Sequence, residues 1–347
     1  MPKRAVYTCL ALVIVTSLLA APPRPGHAQG PQPCRGGIEV RWVDPPDSSD
    51  RRLLEEWCAT VGPPVFLAAA GEPNPVNSLA IVSWNSRVGG GDLVELITSL
   101  RRGDLTEGQE VVDFVLLLQE GLRMGDAVPP IDTRAHVARR IYETPPSGFR
   151  LDAVQVANQL DLSIFYVPSM RNGPAREDRG NAVLSTFPLS DPAAIVLPYE
   201  AQRRVAAAVT ISGVTPGGRA WDLRVCSAHL DVRSRSSRLF ATFGRGRLRQ
   251  AEALAAALPE TPIVLGGDMN TWAPSFLEKA VPYLRERFPD PPDPDQSATR
   301  QLPAMRDRRL DHLMFRLAEG DSARYTRVDD RFASDHHPLL GWLRFGE

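Results

Sequence analysis

Pro262-Ile263-Val264-Leu265-Gly266-Gly267-Asp268-Met269-Asn270 reads as a short buried strand that delivers a carboxylate and an amide at its end. The paired glycines are expected to let the backbone turn tightly once the strand stops. Asp268 and Asn270 stand two residues apart, so in extended chain their side chains face the same way. A carboxylate there can accept a proton or orient a water, and an amide can bind a phosphoryl oxygen. Taken alone, the stretch is also what an ordinary Gly-Asp turn at a strand end looks like.

Five further clusters remove that ambiguity. They are Ser83-Trp84-Asn85, Leu118-Gln119-Glu120, Ala228-His229-Leu230-Asp231, Leu310-Asp311-His312 and Ser334-Asp335-His336-His337. Each follows or ends an apolar run. Asp, Glu, Asn and His gathered at strand ends can hold a hard divalent cation beside a general base. Glu120 ends a run of leucines, where a carboxylate is costly to bury without a partner charge. It reads as a metal ligand, or else as a surface carboxylate just past the strand. His336 is the natural proton handler near neutrality, and Asp311 is a candidate to fix its tautomer. His229 is placed to bind and polarise a phosphoryl group. Asn85 contacts metal or phosphate, or satisfies backbone groups at the strand exit. His312 and His337 read as bystanders.

The remaining pattern supplies the scaffold. Residues 79–84 read as a strand, and Asp92 caps a helix over 93–102 that Gly103 ends. Residues 111–119 read as a strand buried on both faces. A helix over 151–160 and a strand over 162–167 follow. Strands are predicted over 181–185, 194–197, 204–211 and 221–228, the last two joined by a hairpin through Pro216-Gly217-Gly218. Helices are expected over 247–258 and 275–288, with Pro282 kinking or splitting the second. Strands are expected over 262–266, 310–315 and 339–345. Mixed strands with interspersed helices point to two packed sheets flanked by helices, with ligands at the strand ends.

The chain has 347 residues, 43% of them hydrophobic, enough for one large core or two modest domains. Residues 1–28 read as a secretory signal: Lys3 and Arg4, an apolar stretch over 5–21, and Gly26-His27-Ala28 before a cleavage point. An uncleaved membrane anchor is the alternative, against which stand the short apolar stretch and Pro22, Pro23 and Pro25. Cleavage removes Lys3, Arg4 and Arg24 and leaves 37 basic against 41 acidic residues, a net charge of −4. That balance does not suggest non-specific nucleic-acid binding. Export permits a disulfide, and Cys34–Cys58 is expected, with Cys226 buried and free. Residues 29–78 read as a Pro/Gly-rich extension with a short helix near 51–58, preceding a catalytic domain over 79–347. Arg203, Arg204, Arg245, Arg247 and Arg249 could bind phosphate, but they read as ordinary solvated arginines.

The ordered series Trp84-Asn85, Gln119-Glu120, Gly180-Asn181-Ala182-Val183-Leu184-Ser185, His229-Leu230-Asp231, Gly267-Asp268-Met269-Asn270, Leu310-Asp311-His312 and Ser334-Asp335-His336 resembles the endonuclease/exonuclease/phosphatase superfamily, the DNase I-like hydrolases. The resemblance covers residues 79–345. It implies a four-layered α/β sandwich and metal-dependent attack of water on a phosphoester. It implies Mg²⁺, with Mn²⁺ or Ca²⁺ as alternatives, held chiefly by Glu120 with Asn85 close by and Asp335 as a second acidic residue. Asp268 and Asn270 would orient nucleophile and phosphate, His229 would bind phosphate, and His336 with Asp311 would be the base. Segment 179–182 supports the fold more than a catalytic role, and no role is carried to Arg123. Substrates of such proteins include nucleic acids, phospholipid head groups and inositol phosphates, so a secreted nuclease is the leading specific alternative. A non-catalytic binding module is the alternative of another class. The expected protein is an exported monomer without a membrane span once its leader is removed.

Overall fold

A computed structural model describes residues 33–68, 74–130, 148–232, 244–300 and 307–346. The expected signal segment lies outside these residues. Among them no helix is long and apolar enough to cross a membrane.

The strands are β1 (Arg41–Val43), β2 (Val65–Leu67), β3 (Ser78–Asn85), β4 (Phe114–Met124), β5 (Ser163–Arg171), β6 (Glu177–Ser185), β7 (Ser190–Val196), β8 (Val205–Val214), β9 (Ala220–His229), β10 (Ile263–Asp268), β11 (Asp311–Arg316), β12 (Ser322–Arg327) and β13 (Leu339–Arg344). The helices are α1 (Arg51–Cys58), α2 (Leu93–Arg102), α3 (Ala153–Gln159), α4 (Arg245–Ala257) and α5 (Ala280–Arg287). One mixed sheet runs β1-β7-β8-β9-β10-β11 and the other β12-β13-β3-β4-β6-β5-β2.

Period-two alternation builds the layers. In β3, Leu79 and Ile81 point into the core between the sheets with Val115 and Leu117 of β4 and Val225 of β9. Ala80, Val82 and Trp84 point the other way, against Leu96, Ile97 and Leu100 of α2 and Val156 of α3. The outer face of the first sheet packs Ala208, Cys226 and Leu265 against Ala251 and Leu254 of α4 and Leu284 of α5. Each fully buried large apolar side chain contributes about 1.5–3 kcal/mol. This is the α/β/β/α sandwich that the residue pattern implied. Cys226 is buried and free, and burial pushes its thiol up to about 12.

Helix α2 begins where Asp92 accepts the Glu95 N–H at 2.9 Å, and Arg101 and Arg102 complement its C-terminal dipole. The 215–219 hairpin joins β8 to β9 as expected. The helix expected over 275–288 is shorter. It starts at Ala280, because Pro282 lacks an N–H and is tolerated only in a first turn. Residues 275–277 form a separate turn.

The described part of segment 29–78 supplies a strand to each sheet: β1 pairs in parallel with β7, and β2 pairs antiparallel with β5. Cys34 and Cys58 are bonded, with Cα atoms 5.3 Å apart. Arg123 of β4 forms a buried ion pair with Asp178 of β6. Asp178 also accepts from Tyr166 Oη at 2.8 Å and from the Gly62 N–H at 2.9 Å. That network ties three strands to the N-terminal segment.

Candidate active site

Register carries the polar clusters to one edge. Strands β3 and β4 are parallel with Asn85 opposite Gln119, and β9 and β10 are parallel with His229 opposite Asp268. Strand β11 is antiparallel to β10 and begins opposite its end, so Asp311 faces Asp268. The loop bearing His336 is locked to the tip of β3. Ser334 Oγ donates to the Asn85 carbonyl at 2.7 Å and accepts the His336 N–H at 3.1 Å. Trp84 Nε1 donates to the His336 carbonyl at 3.1 Å.

Gly266 and Gly267 do not make a turn; both lie within β10. A side chain at Gly267 would place its Cβ 1.9 Å from the Ala228 carbonyl oxygen, so glycine is required by the close approach of β9. The chain beyond Asp268 is not extended either. Asn270 has a left-handed φ of 49°, and its N–H donates to Asp268 Oδ1 at 2.9 Å. Both side chains nevertheless converge on His229. Asn270 Nδ2 lies 2.9 Å from His229 Nε2, which lies 3.5 Å from Asp268 Oδ2. Asn85 Nδ2 donates to the same Asp268 oxygen at 3.1 Å.

His336 is held at Nδ1 by Asp311 Oδ2 at 2.7 Å and presents Nε2 to Asp268 Oδ2 at 3.8 Å. Burial alone would lower its basicity, but Asp311, then Asp268 and Asp335, outweigh that and raise it to about 9. Burial, and then the Asp311 charge, raise Asp268 above the usual carboxylate range. His229 is driven well below its ordinary value by burial and by Arg204, Arg179, His336 and Arg300, so it is a neutral imidazole.

Glu120 is not past the strand. It sits inside β4, in a bulge between Leu118 and Gly121, with a left-handed φ of 52°. Its side chain, 18% exposed, lies 3.8 Å from Arg179 Nη1 of β6. Asp335, 29% exposed, pairs with Arg300 Nη2 at 3.0 Å. The chain of contacts therefore joins Asn85, His229, Asp268, Asn270, Asp311 and His336, while Glu120 and Asp335 sit beside it against arginines. Gln119 and Asp231 have other work. Gln119 Nε2 reaches Ser227 Oγ across the sheets at 3.0 Å, and Asp231 accepts the N–H groups of Ala201 and Gln202, each at 2.8 Å. His337 bonds the Val328 carbonyl at 2.9 Å.

Sequence reasoning missed Arg300 and Trp272, and took Arg179, within segment 179–182, as support for the fold more than for a catalytic role. Arg179 alternates with Asn181 along β6, which is a readable signal; Arg300 lies in a loop with none. Trp272 donates from Nε1 to Asn270 Oδ1 at 3.3 Å, and the Arg300 guanidinium stands 5.3 Å above its ring. Nor are Arg203, Arg204 and Arg247 solvated: all three are buried. Arg203 donates to the Pro168 and Ser169 carbonyls, and Arg247 clamps Glu278.

The residues suit a hard divalent cation. Asp268, Asp311 and His336 each offer a ligand atom within 4.8 Å of the others. Asp311 Oδ1 is buried without a hydrogen-bond partner, a costly state for a carboxylate oxygen unless a cation serves it.

The model of the Endonuclease/Exonuclease/phosphatase family matches residues 82–336. Similar solved structures include an endonuclease/exonuclease/phosphatase from Beutenbergia cavernae, 19% identical, covering 78% of this chain and 72% of that one with a TM-score of 0.48. TDP2 from C. elegans is 15% identical over 77% of this chain and 75% of that one, with a TM-score of 0.41. ANGEL2, a 2',3'-cyclic phosphatase, is 16% identical over 80% and 98%, with a TM-score of 0.42. No curated protein matches the chain. The structural likenesses are distant, so the assignment rests on the match over most of the sequence. The chain belongs to the endonuclease/exonuclease/phosphatase family, and it is a metal-dependent phosphoester hydrolase.

Proposed function

We propose that the protein is an exported, Mg²⁺-dependent phosphoester hydrolase that acts as a monomer, with His336 as general base. The observation that carries this reading is the Asp311–His336 pair, aimed at Asp268, beside a His229 on which the charges of Arg204, Arg179 and Arg300 act. Asp311 fixes the ring with its proton on Nδ1, so Nε2 is the atom that takes a proton from water. Asp268 holds that water in line with the phosphorus. His229 and Asn270, linked by the Asn270 amide that donates to His229 Nε2, would border the phosphate, and Arg179 and Arg300 supply the positive field that draws in an anion. Glu120, with Asn85 and Asp335, would hold Mg²⁺ beside Asp268, which Asn85 contacts at 3.1 Å; of the Asp268–Asp311–His336 group, this reading keeps His336 and Asp311 for the base. Bound there, Mg²⁺ (or Mn²⁺ or Ca²⁺) offsets the charge that develops on the phosphoryl group. Catalysis by such a site comes from positioning and electrostatics.

Residues 1–28 are read as a cleaved leader, and the Cys34–Cys58 bond supports an oxidising destination. The N-terminal mass of the secreted protein tests this. The hydrolase reading is tested with bis-p-nitrophenyl phosphate, with and without EDTA. Turnover that depends on Mg²⁺ is expected, and no turnover with Mg²⁺, Mn²⁺ or Ca²⁺ would refute it. His336→Ala should lower turnover by about two to four orders of magnitude, the range for general acid–base work. Near-normal turnover would remove His336 from the mechanism.

A further inference from the structure

The segment that leaves the catalytic strand carries a feature that phosphoester hydrolysis does not need. After Asn270, the chain forms a turn over 274–279 whose tip displays Phe276, 70% exposed, and Leu277, 54% exposed. They are the only adjacent pair among the exposed large hydrophobic residues described. Holding them in water is unfavourable, yet the turn is firmly built. The Pro274 carbonyl accepts the N–H groups of Leu277 and Glu278 at 2.9 and 3.0 Å. Glu278 is buried and bound through both oxygens by Arg247, at 3.0 and 2.7 Å. Gly244, with a φ of 91°, abuts the turn so closely that a Cβ would lie 3.1 Å from both Glu278 Cα and the Leu277 carbonyl oxygen. Exposed Lys279 and Arg245 flank it, and its sole acidic residue is the neutralised Glu278. At its root, Trp272 bonds Asn270.

We propose that this turn seats the protein on an anionic phospholipid surface, so that the phosphoester offered to the site is a lipid head group. The substrate half of this rests on the hydrolase reading; the docking half does not. An apolar tip with basic neighbours matches the lipid–water boundary, where Phe, Leu and Trp enter the acyl region and Lys or Arg meets anionic head groups. A single-stranded nucleic acid would call for successive aromatic platforms, whereas this tip pairs one ring, Phe276, with an aliphatic Leu277.

The test is flotation of the full mature chain with vesicles of phosphatidylcholine containing about 30% phosphatidylglycerol, an anionic surface at modest charge density. The wild type should float. Phe276→Ser with Leu277→Ser should lower the bound fraction about ten- to a hundredfold. Lys279→Glu should weaken binding to these vesicles but not to pure phosphatidylcholine. Turnover of soluble bis-p-nitrophenyl phosphate and the melting temperature should be unchanged in the double variant, while release of phosphate-bearing head groups from vesicles falls with binding. A wild type that does not float, a double variant that floats equally well, or a double variant that loses plasmid nicking instead would overturn the proposal. Flotation without any bis-p-nitrophenyl phosphate turnover would leave the docking surface standing and remove the hydrolase reading.

Discussion

Asp311 gives His336 its character, and the two residues can be separated by pH. The carboxylate raises the imidazole, so Asp311→Asn should let His336 lose its proton at lower pH. The rising limb of the rate–pH profile should therefore move toward acid while the maximum falls; a limb that stays in place would break the assignment. The same pair acts on stability. Because the folded imidazole titrates above its ordinary value, its contribution is complete below about pH 6.5 and lost as pH rises through about 9. In EDTA the melting temperature should drop across that interval in the wild type and stay flatter in Asp311→Asn. At this scale the sequence was informative about identity but not about geometry. Asp268, Asn270, Asp311 and His336 were all nameable from their clusters. The left-handed backbone at Asn270 is not, because asparagine only permits that conformation and the Asp268 carboxylate, accepting the Asn270 N–H, selects it.

Strand β4 shows what an element adds to its residues. Its bulge rotates Glu120 out of the leucine run and toward Arg179. Glu120→Gln should raise the Mg²⁺ concentration needed for half-maximal turnover, as measured by titration of the metal-free protein. An unchanged titration would take Glu120 out of the coordination shell. The apolar run is legible as a strand because both faces are covered from Phe114 to Gln119; the expected start at Val111 is three residues early, and Val112 is exposed. Strand β12 is not, because its inward face offers only Ala323 and Tyr325 before Arg327, too few apolar positions to mark an alternation. Gly266 and Gly267 look like turn formers because a sequence does not show what will approach; in the fold Ala228 crowds Gly267, and Leu117 and Ser83 crowd Gly266.

For the molecule as a whole, the layered architecture followed from periodicity, whereas the integration of segment 29–78 did not. Three-residue strands carry too little pattern, and their placement depends on partners more than 90 residues away in β5 and β7. The Cys34–Cys58 bond closes a separation of 24 residues, so Cys34→Ser with Cys58→Ser should cost about 3 kcal/mol in denaturant unfolding. No change in the unfolding midpoint would make the bond dispensable. The lock between Ser334 and Asn85 spans 249 positions and has a further consequence, one of timing. Until β13 has left the ribosome, β3 has β4 on one side but lacks its antiparallel neighbour, and the imidazole has no seat. A nascent chain is therefore inert until the segment from Ser334 through β13 has emerged and docked on β3.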